Sequence, residues 1–394
     1  MMAISTPRII SLSGKHRALG VYICGLPGSG KSSLISHLIL KDICAGRGVA
    51  VIDPTGDLLK PIIQRIPKSR LDDVVYFTTS KPQPIDFLSP QDDDEQEILL
   101  DDMVAAFDVA DAKVAAPMLY KMILTILEAN ETLKEKGSKK RFGILDLNLF
   151  IKNPNAILSQ CSAERHDSWT NPAPSKKDFE TVLHRLLNFQ EKRAFKTVLT
   201  PSPDALNIGT IMGKGQIFLV SIKDTKSDFF LAALIVSKIR QIAWRQRYVL
   251  EKNRVPYYLY LDECHTILKF AARDFETILT RARKYRFCIT AANQVVEDLP
   301  KEIREKLTLF GTRIEMGYCG IPYRAECITP EGRFVIETPH FMTVNEAQYD
   351  LILQKLIVEK SGCEPTEDML ELKDGGNNTE PTFARPHKPK KGRS

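Results

Sequence analysis

The chain has 394 residues, 43% apolar and 26% charged, which is long enough for a large core and two domains and has the balance of a soluble globular protein. Its eight cysteines form no C-x-x-C pair and no Cys/His spacing suited to zinc; this excludes a disulfide framework and a zinc module and suits a reducing cytosol. Much of the net charge of +6 sits in an acid-free tail, on Arg385, Lys388, Lys390, Lys391 and Arg393, so the body is close to neutral and any nucleic-acid affinity must come from local patches or the tail.

Residues 1–18 read as a short lead-in without a signal peptide, and no apolar run nears the roughly eighteen residues of a membrane span. An apolar strand over 19–24 then delivers Gly25-Leu-Pro-Gly-Ser-Gly-Lys-Ser32, which is followed at once by a helical apolar run from Leu34. This is the complete G-x-x-x-x-G-K-[ST] phosphate loop in its strand-loop-helix setting. Gly25, Gly28 and Gly30 let the backbone curl so that its N–H groups face an anion, and the helix adds the positive end of its dipole. Lys31 reaches the β and γ phosphates, and Ser32 places its hydroxyl on Mg²⁺. The predicted nucleotide-binding set is Gly25, Pro27, Gly28, Ser29, Gly30, Lys31, Ser32 and Ser33, and the ligands are ATP and Mg²⁺.

A second strand, 48–53, ends in Asp53-Pro-Thr-Gly-Asp57, at the sheet edge where ligand crevices form. Asp53 and Asp57 either orient the site or close an Asx turn. A third strand covers 74–77. From about residue 91 the period changes to helical: Leu99, Met103 and Phe107, then Met118, Met122 and Ile126, then Phe179, Val182 and Leu186. These stripes predict an all-helical insertion over 91–205 with loops at 134–141 and 167–177. The lysines of the first loop read as solvated, and the methionines as core filler.

Sheet character returns at 215–222, and a long helix is expected over 228–250. The run Tyr257-Tyr-Leu-Tyr-Leu-Asp262-Glu263 is a buried strand that ends in an acidic pair. Asp262 is the expected Mg²⁺ ligand with Ser32, and Glu263 the residue that polarises the attacking water. Cys264 and His265 read as an unliganded core pair on that strand. A helix over 272–283 leads to a strand over 284–294, where Gln294 either senses the γ phosphate or caps the strand. Further strands are expected at 307–316 and 333–337 and a helix at 346–360. The Gly/Asn/Pro-rich tail 373–394 is expected to be disordered.

The ordered set of phosphate loop, Val-Ile-Asp-Pro-Thr-Gly-Asp-Leu, Tyr-Leu-Asp-Glu, and Arg-Lys-Tyr with Gln294 eleven residues after Arg283 resembles the HerA/FtsK superfamily of P-loop motors. Within it the set is most similar to the TraG/TraD-like coupling proteins of conjugation and type IV secretion. The resemblance spans about residues 18–340. It implies an α/β fold with a RecA-like P-loop core and mostly parallel sheet, formed by 19–90 and 206–372, carrying the all-helical insertion.

It also implies an ATP-driven DNA translocase, sequence-nonspecific and hexameric, with each nucleotide held between neighbouring subunits. Lys31, Glu263 and Gln294 match the catalytic set, and Arg283 the arginine supplied to the neighbour's site, with Arg281 as fallback. A secretion or relaxosome partner is expected on the helical insertion. The coupling proteins commonly begin with membrane-spanning helices that this chain does not show, so the expected location is cytoplasmic, tethered to the inner membrane only through a partner. The rival expectations are a HerA-like motor of repair or packaging, a nucleotide-dependent docking adaptor, and a monomeric small-substrate kinase.

Overall fold

The computed structural model describes residues 12–107, 114–170, 176–190, 192–223, 225–340 and 344–358; the expected disorder of 373–394 lies outside these residues. One nine-stranded sheet organises the molecule. Its strands are β1 (Val21–Cys24), β2 (Gly48–Asp53), β3 (Val74–Thr78), β4 (Ile217–Ser221), β5 (Tyr257–Leu261), β6 (Phe287–Asn293), β7 (Thr312–Met316), β8 (Arg324–Thr329) and β9 (Gly332–Glu337). They lie in the order β3-β4-β2-β5-β6-β1-β7-β8-β9. Pairing is parallel from β3 to β7 and antiparallel in β7-β8-β9.

Strands β1 to β6 are short, nearly continuous apolar runs because both faces of the sheet are covered there. Along β2, Val49 and Val51 enter one core with Ile35, Ile39 and Ile43 of the helix Lys31–Cys44. Ala50 and Ile52 enter the other with Leu231, Ile235 and Ile239 of the helix Lys226–Trp244. That long helix is buried nearly all round because the sheet lies on one side and the helices Asp93–Ala106 and Cys264–Arg281 on the other. It stops at Trp244, short of the expected 250. Arg245 then pairs with Glu95, and Arg247 with Asp92 and Asp94, from a tight 3-10 turn.

The placement of Cys264 and His265 is corrected. The helix Cys264–Arg281 begins directly after Glu263, so Cys264 and His265 occupy its first turn and are not on a strand. The sequence also hides β8, whose buried residues Ala325, Cys327 and Thr329 alternate with half-exposed ones but include no large apolar side chain.

The described part of 91–205 is helical, with Asp93–Ala106, Ala115–Glu135 and Lys176–Gln190 as its main elements. The region expected as a loop at 167–177 is partly helical, since Ala163–Thr170 forms about two turns of helix that bury Trp169. The chain leaves and rejoins the sheet at one place: Ile85 bridges Leu206 in parallel, and the Leu206 N–H donates to the Pro84 carbonyl at 2.8 Å. Among the described residues no helix is long and apolar enough to cross a membrane.

Candidate nucleotide site

The site gathers at the carboxyl ends of β2, β5, β6 and β1, where a parallel sheet turns its loops toward a ligand. β1 ends at Cys24 and the loop Gly25–Gly30 wraps forward to the helix that starts at Lys31. Gly30 caps that helix at φ +97°, a backbone state that a side chain would strain. Gly25 is required for a different reason. A Cβ there would stand 2.5 Å from Cβ of Met316 on β7. Leu26, Pro27, Gly28 and Ser32 are exposed, whereas Ser29, Lys31 and Ser33 are buried. The Ser29 hydroxyl is buried without a hydrogen-bond partner in the protein, which suits a loop built to receive a ligand oxygen.

β5 delivers the acidic pair. The Asp262 N–H continues the ladder to the Ile52 carbonyl at 3.1 Å. Glu263 then turns the chain at φ +43°, an uncommon state for a non-glycine residue and a sign of local constraint. Lys31 Nζ donates to Glu263 Oε1 at 2.7 Å and lies 3.8 Å from Asp262 Oδ1. Gln294 Nε2, just past β6, donates to the same Glu263 Oε1 at 3.0 Å. The structure thus brings together Lys31, Asp262, Glu263 and Gln294 from three separate sheet ends.

Burial pushes the Asp262 carboxyl up to about 6; Lys31 pulls it down while Asp53 and Glu263 push it up further. Glu263 Oε2 is buried with no hydrogen-bond partner in the protein, and His265 Nδ1, in the same condition, lies 3.6 Å away. Burial lowers the proton affinity of His265, against the pull of Glu263 and Asp298. His265 is therefore a neighbour of the acidic pair, a placement that the strand reading missed because it set the residue outside the helix.

Asp53 resolves to the turn alternative. Its Oδ1 accepts from the Thr55 N–H, the Thr55 hydroxyl and the Gly56 N–H, each at 2.9 Å, and Oδ2 accepts from the Leu59 N–H at 3.0 Å. Asp57 is exposed. The backbone of Arg283 lies in the 3-10 turn Ala282–Tyr285, which enters β6 at the end opposite Gln294. The preceding helix of 18 residues spans about 27 Å at 1.5 Å per residue, which carries the chain to the far edge of the sheet from its own phosphate loop. The side chains of Arg281 and Arg283 lie outside the described ones.

The phosphate loop also has a neighbour that the motif does not specify. Tyr323, between β7 and β8, donates its N–H to the Ser29 carbonyl at 2.9 Å.

No family model matches the sequence, and a search of the curated proteins finds no match. Solved structures do match. The bacterial conjugative coupling protein TrwBΔN70 aligns over 84% of this chain and 86% of its own at 14% identity, with a TM-score of 0.61. Plasmid coupling protein TrwB in complex with ADP and Mg²⁺ aligns over 82% of this chain and 78% of its own at 14% identity, TM-score 0.53. VirB4 of Thermoanaerobacter pseudethanolicus aligns over 82% and 89% at 15% identity, TM-score 0.54. At such identities the likeness is one of architecture: the chain has the RecA-like P-loop fold that these conjugative coupling and VirB4 proteins display.

Proposed function

We propose that this chain is a Mg²⁺-dependent ATPase that assembles into a ring and translocates DNA, in the manner of a conjugative coupling protein. The observation that carries the reading is the convergence of Lys31, Asp262, Glu263 and Gln294 beside an intact phosphate loop. The unpartnered Ser29 hydroxyl and the raised Asp262 carboxyl fit a nucleotide and a divalent cation. In this reading Ser32 and Asp262 hold Mg²⁺, which supplies charge neutralisation across the phosphate oxygens when bound.

Lys31 serves the phosphates. With nucleotide present its Nζ has a stronger anion to serve than Glu263, so Glu263 exchanges an ion pair for a role as acceptor of the attacking water's proton. Gln294 fixes the orientation of Glu263 through the Oε1 hydrogen bond, the oxygen that Lys31 vacates when it turns to the phosphates, while Oε2 stays buried beside His265 Nδ1. The backbone of Arg283 lies past the helix Cys264–Arg281, at the opposite end of the sheet from its own site, which supports its use in a neighbouring subunit. Leu26, at the tip of the phosphate loop, is 65% exposed and would be covered by such a neighbour. The helical block 91–205 is read as the insertion that contacts a secretion or nucleoprotein partner.

The test is ATP hydrolysis with and without single- and double-stranded DNA, at several protein concentrations and low salt. The expected result is DNA stimulation that rises cooperatively with protein concentration, abolished in Lys31→Ala and reduced by about 100-fold or more in Glu263→Gln. Turnover indifferent to DNA and to concentration would replace the motor by a nucleotide-dependent docking adaptor.

A further inference from the structure

We propose that Tyr323 and His340 form the stacking platform for the base of the bound nucleotide, an assignment that rests on the nucleotide reading above. Strand order fixes which way the ligand must run. β1 and its phosphate loop lie between β6 and β7. Glu263 and Gln294, which serve the terminal phosphate, stand on the β6 flank, so the phosphate chain leads away across the loop and the nucleoside emerges on the β7 flank. Tyr323 and His340 are rings on that flank that touch the phosphate loop or each other.

Their geometry is that of a built surface. The Tyr323 ring lies against Gly30, where a Cβ would come within 2.6 Å of Cδ1. His340 packs on Tyr323 with centroids 4.6 Å apart and planes tilted by 41°. Tyr323 is half-buried and His340 exposed, so the outer ring is available to a ligand while the inner one is anchored to the phosphate loop.

The chain also holds Tyr323 in a conformation it would not choose. Its φ is +59°, a left-handed state that disfavours a side chain by about 1–2 kcal/mol. Three hydrogen bonds enforce it: the Tyr323 N–H donates to the Ser29 carbonyl at 2.9 Å, and its carbonyl accepts from the Thr338 N–H at 2.7 Å and the Thr338 hydroxyl at 3.0 Å. A glycine at this position would make the same backbone bonds without strain. What the tyrosine adds is the ring, and strain retained in this way clusters at ligand sites. A ring pair beside the nucleoside end, with the exposed His340 outermost, offers a π-face to a base, an interaction that lends itself to tests by substitution.

The experiment compares binding of ATP and of inorganic tripolyphosphate, each with Mg²⁺, by calorimetry on the full chain. His340→Ala, an exposed position whose loss leaves the fold alone, should weaken ATP by about tenfold while tripolyphosphate changes by less than about twofold. Tyr323→Phe should keep the wild-type ATP affinity, because the ring is retained. Unchanged ATP affinity in His340→Ala, or equal losses for ATP and tripolyphosphate, would overturn the platform. Lys31→Ala separates the two claims: if wild type binds neither ligand more tightly than Lys31→Ala, the nucleotide reading itself has failed.

Discussion

Replacing Asp262 by asparagine should stabilise the metal-free protein while ending Mg²⁺-dependent turnover. The carboxyl is buried, and its proton affinity rises from an ordinary value of 3.8 to about 6. The folded protein therefore binds this proton more tightly than the unfolded chain does. The stability attached to the protonated form is fully present at low pH and is lost as pH climbs from about 4 through about 6.

A shift of roughly 2 units at 1.36 kcal/mol each sets a ceiling near 3 kcal/mol for the cost of ionised Asp262 at pH 8. Asparagine removes that cost and retains an oxygen for the Glu263 N–H, now 3.1 Å from Asp262 Oδ1. Lys31 keeps Glu263 as its partner at 2.7 Å. The amide NH₂ beside Lys31 offsets part of the gain, so a net of about 1–2 kcal/mol, or a rise of about 1–2 °C in Tm, is expected. Thermal unfolding in chelator at pH 8 and pH 5 checks it, and the advantage of Asp262→Asn should nearly vanish at the lower pH, because about 1.4 kcal/mol of the cost of ionisation is lost between the two. An equal or lower Tm for the variant at pH 8 would refute the idea that burial of this charge is uncompensated without metal. Adding Mg²⁺ and ATP should then raise the Tm of wild type but not of the variant.

Two further outcomes follow from the geometry. Gly30→Ala should destabilise the protein by about 2 kcal/mol or more, because it forces a side chain into a left-handed state and against the Tyr323 ring; Gly28→Ala, at φ +80° in open space, should cause a smaller loss. Thermal unfolding compares them, and a wild-type Tm for Gly30→Ala would contradict the crowding at the loop. Arg283→Ala and Glu263→Gln should each be nearly inactive alone, yet an equal mixture should recover about a quarter of wild-type turnover, since one interface in four then pairs an intact Glu263 with an intact Arg283 across subunits. An active Arg283→Ala, or a mixture without recovery, would show that the arginine does not act in trans.

The readable parts of the site share a physical cause. The phosphate loop was legible because the curl of Gly25–Gly30 dictates residue identity at consecutive positions: Gly25 has Met316 against it, and Gly28 and Gly30 have positive φ. The Asp262-Glu263 pair was legible because a fully buried strand, Tyr257–Leu261, makes its terminal acids conspicuous. Asp53 stayed ambiguous until its oxygens were accounted for, since spacing alone does not distinguish an acid that closes a turn from one that faces a ligand. The start of the helix at Cys264 was hidden by a first turn of mixed residues with no cap signal, and β8 by small residues at its buried positions.

Tyr323 is the instructive case. Its link to the phosphate loop is made by a backbone N–H, which any non-proline residue possesses, and by a ring placed by a strained φ that no sequence pattern announces. The separation in sequence is also large, from Ser29 to Tyr323, and only the insertion of β1 between β6 and β7 brings the two together. Chemistry that depends on one local backbone shape was therefore open to reading, whereas chemistry assembled across the sheet had to wait for strand order. The same logic divides the functional claims. The phosphate loop and acidic pair are properties of the single chain, whereas the proposed use of Arg283 calls for a second copy, because the helix Cys264–Arg281 carries the chain to the opposite end of the sheet.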